Sequence, residues 1–360
     1  MIKLSRREMI AGALVAAPAV LSGRARAEDL RPISFTLPWV AEGSNAYAFV
    51  AKANGYWTKR GLDVQIVRGY GSTAAAQAIG AGRFQFGLAA APSGIQAAAK
   101  GLPVVALGSA GYDATMGICV LDDSPIKSPK DLEGRKMAST VNSGDYPFLG
   151  VYAERAGFDI SKVSRVQADP AVRQRLLISK EVDAISGFAI SFAPVFETEK
   201  ISVRNMLYSA AGLTLYNNSL MTQLETLQKE PKLCADICDG LAEAIKFTML
   251  NPDEALQIFL KQVPEMALTA NGPASVRVGM GIFNLSMMHE PMIKNGIGFS
   301  APADYESMTD LVMKYVAEPA DKKPEQKALF TNDFAGKVKL TPAEHEEAIK
   351  KSMPFRKFLA

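Results

Sequence analysis

The chain has 360 residues, of which 48% are apolar, 21% charged and 8% aromatic, a balance that suits a protein with a large core and excludes a mainly disordered chain. At roughly 100 to 200 residues per domain, this length predicts about two domains. Forty Lys and Arg against 37 Asp and Glu give a charge of +3, too near neutral for broad electrostatic binding of nucleic acid.

Ser5-Arg6-Arg7-Glu8-Met9-Ile10 is a twin-arginine pattern, followed by an apolar run from Met9 to Leu21 and by Ala25-Arg26-Ala27, a small-x-small cleavage signal. Residues 1–27 are therefore expected to be a twin-arginine export signal, since the run is shorter than the roughly 20 apolar residues of a membrane span. Removing them takes away five basic residues and one Glu and lowers the charge from +3 to −1.

Strand-like and helix-like segments then alternate. Ile33 to Leu37 reads as a strand, Ala46 to Asn54 as a helix stopped by Gly55, and Leu62 to Val67 as a strand. Ser72 to Ile79 is a helix, Phe84 to Ala89 a buried strand, Ser93 to Lys100 a helix closed by Gly101, and Val104 to Gly108 a strand. After Pro129 the pattern restarts: strands at Lys136 to Thr140, Lys162 to Gln167 and Val182 to Ser186 enclose helices at Gly144 to Ala156 and Val172 to Ser179. Such alternation predicts α/β lobes, each a mostly parallel sheet flanked by helices.

From about Met221 the chain turns helical, punctuated by Pro252, Pro264, Pro273 and Pro291. These helices need a sheet to cover, which returns the chain to the first lobe. The expected layout is lobe one at 28–116, lobe two at 117–215, a helical return to lobe one at 216–345, and a tail at 346–360. Two crossovers, near Asp113 to Met116 and Leu213 to Asn218, would form a hinge around a crevice at the carboxyl ends of the strands.

Catalytic chemistry is poorly supplied. The two histidines, His289 and His345, fall in late segments, and no nucleophile elbow, phosphate loop or His-Glu-x-x-His motif occurs. Neither a metal nor a cofactor is expected, and an enzyme is the lesser reading. Gly69-Tyr70-Gly71-Ser72-Thr73-Ala74 resembles a dinucleotide turn, but residues 64–112 contain no Asp or Glu to hold a ribose.

That absence leaves the helix starts near Ser72, Thr73 and Ser93 free of nearby negative charge, and Ser143-Gly144-Asp145 offers a similar start from lobe two. Trp39, in a polar loop with Glu42-Gly43-Ser44-Asn45, and Tyr47, Tyr112, Tyr146 and Phe188 at strand ends or helix starts, are candidates for the flat wall of a small-molecule site. Capping and core packing are the plainer roles for these residues. Arg68, Arg83, Arg173 and Arg175 are expected at the surface. Cys234 and Cys238, four apart on one helical stripe, are expected to be buried free thiols, as is Cys119.

Leu37-Pro38-Trp39, Tyr47-Ala48-Phe49-Val50-Ala51-Lys52-Ala53-Asn54-Gly55-Tyr56-Trp57 and Gly61-Leu62-Asp63-Val64 resemble the opening of periplasmic substrate-binding proteins of ABC importers. The branch is the one that groups nitrate, taurine and alkanesulfonate binders with binders of thiamine-pyrimidine precursors. Gln77-Ala78-Ile79, Phe86-Gly87-Leu88, Asp131-Leu132-Glu133-Gly134-Arg135-Lys136, Glu181-Val182-Asp183-Ala184 and Leu329-Phe330-Thr331-Asn332-Asp333-Phe334 extend the likeness over most of the chain. The resemblance implies a type II, two-lobed fold and a periplasmic monomer without cofactor, which captures a small organic solute (sulfonate, aromatic carboxylate or pyrimidine-like) and delivers it to a permease and its ATPase. Carried over position by position, it implies ligand contacts from Trp39, Tyr47, Ser72, Thr73, Ala90, Ser93, Ser143, Gly144, Gly187 and Phe188; Tyr112 joins these candidates from its place at a strand end. Three departures stand out: Ala46-Tyr47 occupies the region where pyrimidine-precursor relatives carry His, the Cys-rich motif of the fungal pyrimidine synthases is absent, and Lys180 stands where Gly is usual. The alternatives are an enzyme on a pyrimidine-like or aromatic substrate in the same cleft, and a ligand-loaded partner of a membrane sensor.

Overall fold

Ten strands form two five-stranded sheets in the computed structural model, which describes residues 30–359; the expected export signal lies outside the described residues. In chain order the strands are β1 (Arg31–Thr36), β2 (Leu62–Val67), β3 (Phe86–Ala90), β4 (Val104–Ser109), β5 (Met116–Leu121), β6 (Lys136–Ser139), β7 (Ser164–Gln167), β8 (Ala184–Phe188), β9 (Val203–Leu207) and β10 (Asn218–Gln223). The first sheet has the order β2-β1-β3-β10-β4 and the second β7-β6-β8-β5-β9.

In each sheet one strand runs against the rest. β10 is antiparallel to β3 and β4, and β5 is antiparallel to β8 and β9, while β1 pairs with β2 and β3, and β6 with β7 and β8, in parallel. Both reversed strands are the first after a crossover. The chain passes from the first sheet to the second between β4 and β5 and returns between β9 and β10. A strand that enters its sheet from the crevice must run away from it, whereas the others run toward it.

β5, β9 and β10 are the strands that hydrophobic pattern did not mark. β10 carries Asn218, Ser219 and Thr222 although it is buried throughout the first five residues. Its polar groups are satisfied locally: Thr222 Oγ1 donates to the carbonyl of Gln85 (2.7 Å), and Ser219 Oγ meets Tyr305 Oη (3.2 Å).

Helices α1 (Ala46–Ala53), α2 (Ser72–Gly80) and α3 (Ala91–Ala99) belong to the first lobe, and α4 (Leu149–Ala156), α5 (Pro170–Ile178) and α6 (Ala189–Thr198) to the second. The return is helical: α7 (Leu224–Lys229), α8 (Pro231–Leu250), α9 (Pro252–Gln262), α10 (Pro264–Leu268), α11 (Gly272–Ser286), α12 (Glu290–Asn295), α13 (Pro302–Tyr315), α14 (Gln326–Leu329) and α15 (Pro342–Ser352). α8 buries Leu233, Ile237, Leu241 and Ile245 at four-residue spacing, and packs on α1 and α9. Trp57 caps this contact, donating from Nε1 to the carbonyl of Ile237 (3.1 Å).

The last turn, Met353–Leu359, reaches across to the second lobe. Asn205 on β9 donates from Nδ2 to the carbonyl of Phe358 (3.0 Å), and Lys357 pairs with Glu197 on α6 (2.7 Å). No helix among the described residues is long and apolar enough to cross a membrane. Cys119, Cys234 and Cys238 are buried and free.

Candidate functional site

The carboxyl ends of the parallel strands face one another across the crevice, and the loops that follow them line one pocket between the lobes. Lobe one supplies Pro38, Trp39, Glu42, Ser44 and Ser72; the start of β10 adds Asn217 and Asn218. Lobe two supplies Ser143, Arg173, Phe188, Ile190 and Ser191. Trp39, Phe188 and Ile190 form an apolar wall, while hydroxyl and amide groups surround it, the usual composition of a small-molecule pocket.

The lobes touch around this space. Gly144 stands against Ser72, Ser93 and Phe188, so that a Cβ there would lie 3.2 Å from an atom of each. Gly71 lies so close to the backbone of Asn142 that a Cβ would come within 2.0 Å of its carbonyl oxygen. Ser191 of α6 donates to Glu42 Oε1 of lobe one at 2.7 Å. These contacts describe a closed arrangement.

Glu42 is held by its own loop. It precedes a short turn, Gly43–Asn45, in which Ser44 Oγ donates to Glu42 Oε1 (2.7 Å) and the Glu42 amide donates to Asn45 Oδ1 (3.1 Å). The turn presses on α11, where a Cβ at Gly43 would sit 2.1 Å from the carbonyl oxygen of Val276, so only glycine fits there. Burial raises the Glu42 carboxyl above the ordinary range, opposed by the hydroxyls of Ser44 and Ser191 and the charge of Arg173.

Arg173, expected at the surface, is instead 1% exposed. Its Nε and Nη1 atoms have no hydrogen-bond partner. Gly187 on β8 makes room for it, since a Cβ there would lie 2.6 Å from Nη1. Burial lowers its affinity for a proton, and the charges of Asp145 and Glu42 act in the other direction. Asp145 is wholly buried, accepts a hydrogen bond from Ser143 Oγ, and leaves Oδ2 unpartnered. Desolvation raises its carboxyl too, offset first by Arg173. Arg68, Arg83 and Arg175 are exposed as expected; Arg68 and Arg175 line the outer mouth of the cleft with Tyr70, Asp169 and Glu199.

Of the residues singled out from sequence, the structure brings Trp39, Ser72, Ser143 and Phe188 together on the cavity wall, with Gly144 and Ser93 at their contact and Gly187 behind Arg173. It places four elsewhere. Tyr47 is fully buried and stacked on Phe283 (4.6 Å between centroids), with an unpartnered hydroxyl. Thr73 Oγ1 is buried without a partner, off the cavity wall, and Ala90 is buried at the end of β3. Tyr112 lies in the first crossover, stacked on His289 at 4.6 Å with an interplanar angle of 2°.

His289 therefore touches the hinge, although its position in the sequence suggested nothing of the kind. Tyr216 of the second crossover meets the same imidazole edge-on (5.6 Å) and donates to Asp304 (2.5 Å), whose Oδ2 lies 3.4 Å from His289 Nε2.

Pro38, Glu42, Ser44, Arg173, Ile190, Ser191, Asn217 and Asn218 also line the wall, although none was among the expected ligand contacts. The polar Glu42-Gly43-Ser44-Asn45 loop beside Trp39 was the one signal available; a buried arginine carries none. Among the described residues no group of three or more His, Cys, Asp or Glu is placed to hold a metal ion.

Two α/β lobes joined by two crossovers, closed on a polar cavity with an aromatic wall, define the periplasmic binding protein class. The chain belongs to the NMT1/THI5-like family, whose model matches residues 44–255. It is 26% identical over 287 residues to a formylaminopyrimidine-binding protein of Halalkalibacterium halodurans, covering 79% of this chain and 84% of that protein. Among solved structures, the alkanesulfonate-binding protein of Xanthomonas axonopodis pv. citri, bound to MOPS, is similar with a TM-score of 0.64 at 14% identity, over 84% of this chain and 99% of that one. The periplasmic nitrate-binding protein of Synechocystis PCC 6803 is similar with a TM-score of 0.62 at 13% identity, over 92% and 91%. At those identities the two structures speak for the fold.

Proposed function

We propose that this chain is the solute-binding component of an ABC importer, a periplasmic monomer that closes its lobes on a small organic solute and presents it to a membrane permease. The reading rests on one observation above all: the cavity where the lobes meet holds a buried arginine with two unpartnered nitrogen atoms beside an aromatic wall. Desolvated polar groups without partners are costly, and a bound solute removes that cost only in the closed state. Such differential contact is what a ligand needs to shift the lobe equilibrium. The relative that binds formylaminopyrimidine supports a small organic solute, and the twin-arginine pattern at Arg6-Arg7 supports export.

The solute is bound and released unchanged. The test is native mass spectrometry of the purified protein, followed by calorimetry of unfolded and refolded, ligand-free protein against pyrimidines, aromatic carboxylates and sulfonates. Saturable binding by one class with recovery of the same molecule is expected. Failure of every class to bind, or recovery of a converted product, overturns the proposal.

A further inference from the structure

The charge of the enclosed cavity narrows what can enter it. Among the described residues its charged groups are one guanidinium, Arg173, and two buried carboxyls whose charges act on it, Glu42 on the wall and Asp145 behind Ser143. With both carboxyls ionised the set has a net charge of −1, and with one protonated it is neutral; the hydroxyls that Ser44 and Ser191 donate to Glu42 favour its ionised form. The start of α6 would ordinarily attract an anion, but the protein fills that place itself: Glu42, from the opposite lobe, accepts a hydrogen bond from Ser191 in the first turn of α6 at 2.7 Å. The mouth adds no bias, since Arg68 and Arg175 are accompanied by Asp169 and Glu199.

We infer that Glu42 is a built-in anion that makes the cleft reject solutes of net negative charge, so that the solute is neutral, zwitterionic or cationic, with an acceptor group turned to Arg173. This rests on the binding reading above and goes beyond it, because the fold is shared with proteins that bind nitrate and alkanesulfonate. An inorganic or organic monoanion entering here would be desolvated against Glu42 without gaining an uncommitted counter-charge. A neutral amide or heterocycle offers lone pairs to the unpartnered Nε and Nη1 of Arg173 and stacks on Trp39 without that penalty.

The experiment is calorimetry of the refolded, full mature chain with four probes of one skeleton: benzylammonium, benzamide, benzoate and benzenesulfonate. Benzoate and benzenesulfonate are expected to bind at least tenfold more weakly than benzamide. Glu42→Gln, which keeps an acceptor for Ser44 and Ser191 and leaves Arg173 with one carboxylate fewer, is expected to shrink that gap at least tenfold. Ser191→Ala removes the bond between lobes without changing charge, and is expected to weaken all probes alike and leave the gap intact. Anions that bind the parent protein as well as benzamide, or a gap unchanged in Glu42→Gln, overturn the inference while leaving the binding reading in place. Failure of all four probes to bind overturns the inference, while the binding reading stands or falls on the screen of pyrimidines, aromatic carboxylates and sulfonates described above.

Discussion

The guanidinium of Arg173 lies across the backbone of Gly187, at a distance where a single added methyl carbon would stand 2.6 Å from Nη1 and 2.8 Å from the central carbon. α5 and β8 are thereby fitted to each other through the one residue that carries no side chain, and the arginine reaches the cavity because of it.

Gly187→Ala is accordingly expected to displace Arg173 while β8 keeps its pairing with β5. Affinity for the solute that copurifies should fall at least tenfold, about 1.4 kcal/mol, with the far-ultraviolet circular dichroism unchanged. An affinity equal to the parent's would mean that Arg173 does not hold the ligand.

Lys180 adopts φ +59°, the left-handed region in which a Cβ is strained by roughly 1 kcal/mol. Glycine is usual here in the family that the sequence resembles, and the backbone has kept the glycine conformation. Its ammonium pairs with Asp123 at 2.9 Å, an exposed contact of little value. Lys180→Gly should therefore leave stability unchanged or raise it by up to about 1 kcal/mol, read as the midpoint of urea unfolding. A loss of more than that would show that the ion pair outweighs the strain.

The histidine at the hinge predicts a pH dependence. Burial holds His289 below the ordinary histidine range, with Asp304 and Glu290 pulling the other way. Its Nδ1 is buried without a partner. Because the unfolded chain binds this proton more tightly, the contribution is fully present above the unfolded value of about 6.5, begins to fade as pH falls below it, and is gone once pH has passed the lower value of the folded protein. The groups around the ring are Tyr112, Tyr216, Asp304 and Glu290. Thermal melts of the parent and of His289→Gln should converge as pH drops from 7 toward 5; melts that stay parallel would contradict the assignment.

Burial raises the thiols of Cys119, Cys234 and Cys238 above their ordinary range, that of Cys234 to about 12. Protonated and enclosed, they are expected to resist Ellman's reagent in the native protein, and all three should react once guanidinium unfolds it. Fast modification of any one before unfolding would reveal an opening of the fold around it.

Local pattern carried much of this architecture. Leu62–Val67 alternates as a strand should and forms β2, and Ser72 to Ile79, ended by Gly80, forms α2. The strands that stayed hidden, β5, β9 and β10, lie next to the crossovers, and two of them run backwards. β10 hid because a polar strand such as Asn218-Ser219-Leu220-Met221-Thr222-Gln223 is stabilised by partners far along the chain, including Gln85 and Tyr305. On the cavity wall, Trp39, Ser72, Ser143 and Phe188 were visible because each stands at the end of a strand or shortly after one. Arg173 was not, because nothing in Ala171-Val172-Arg173-Gln174 distinguishes a buried arginine from a solvated one.

The order of residues by itself determined most of the strands and helices, all but β5, β9 and β10 among the strands, and that they sort into two α/β units, since periodicity and capping act over a few neighbours. Only the tertiary structure decided the electrostatics of the cleft. Glu42 and Ser191 are 149 positions apart, and the protonation and pairing of Glu42, Asp145 and Arg173 depend on water being excluded when the lobes meet. Burial of a charge is a property of the whole enclosure, and no stretch of sequence contains it.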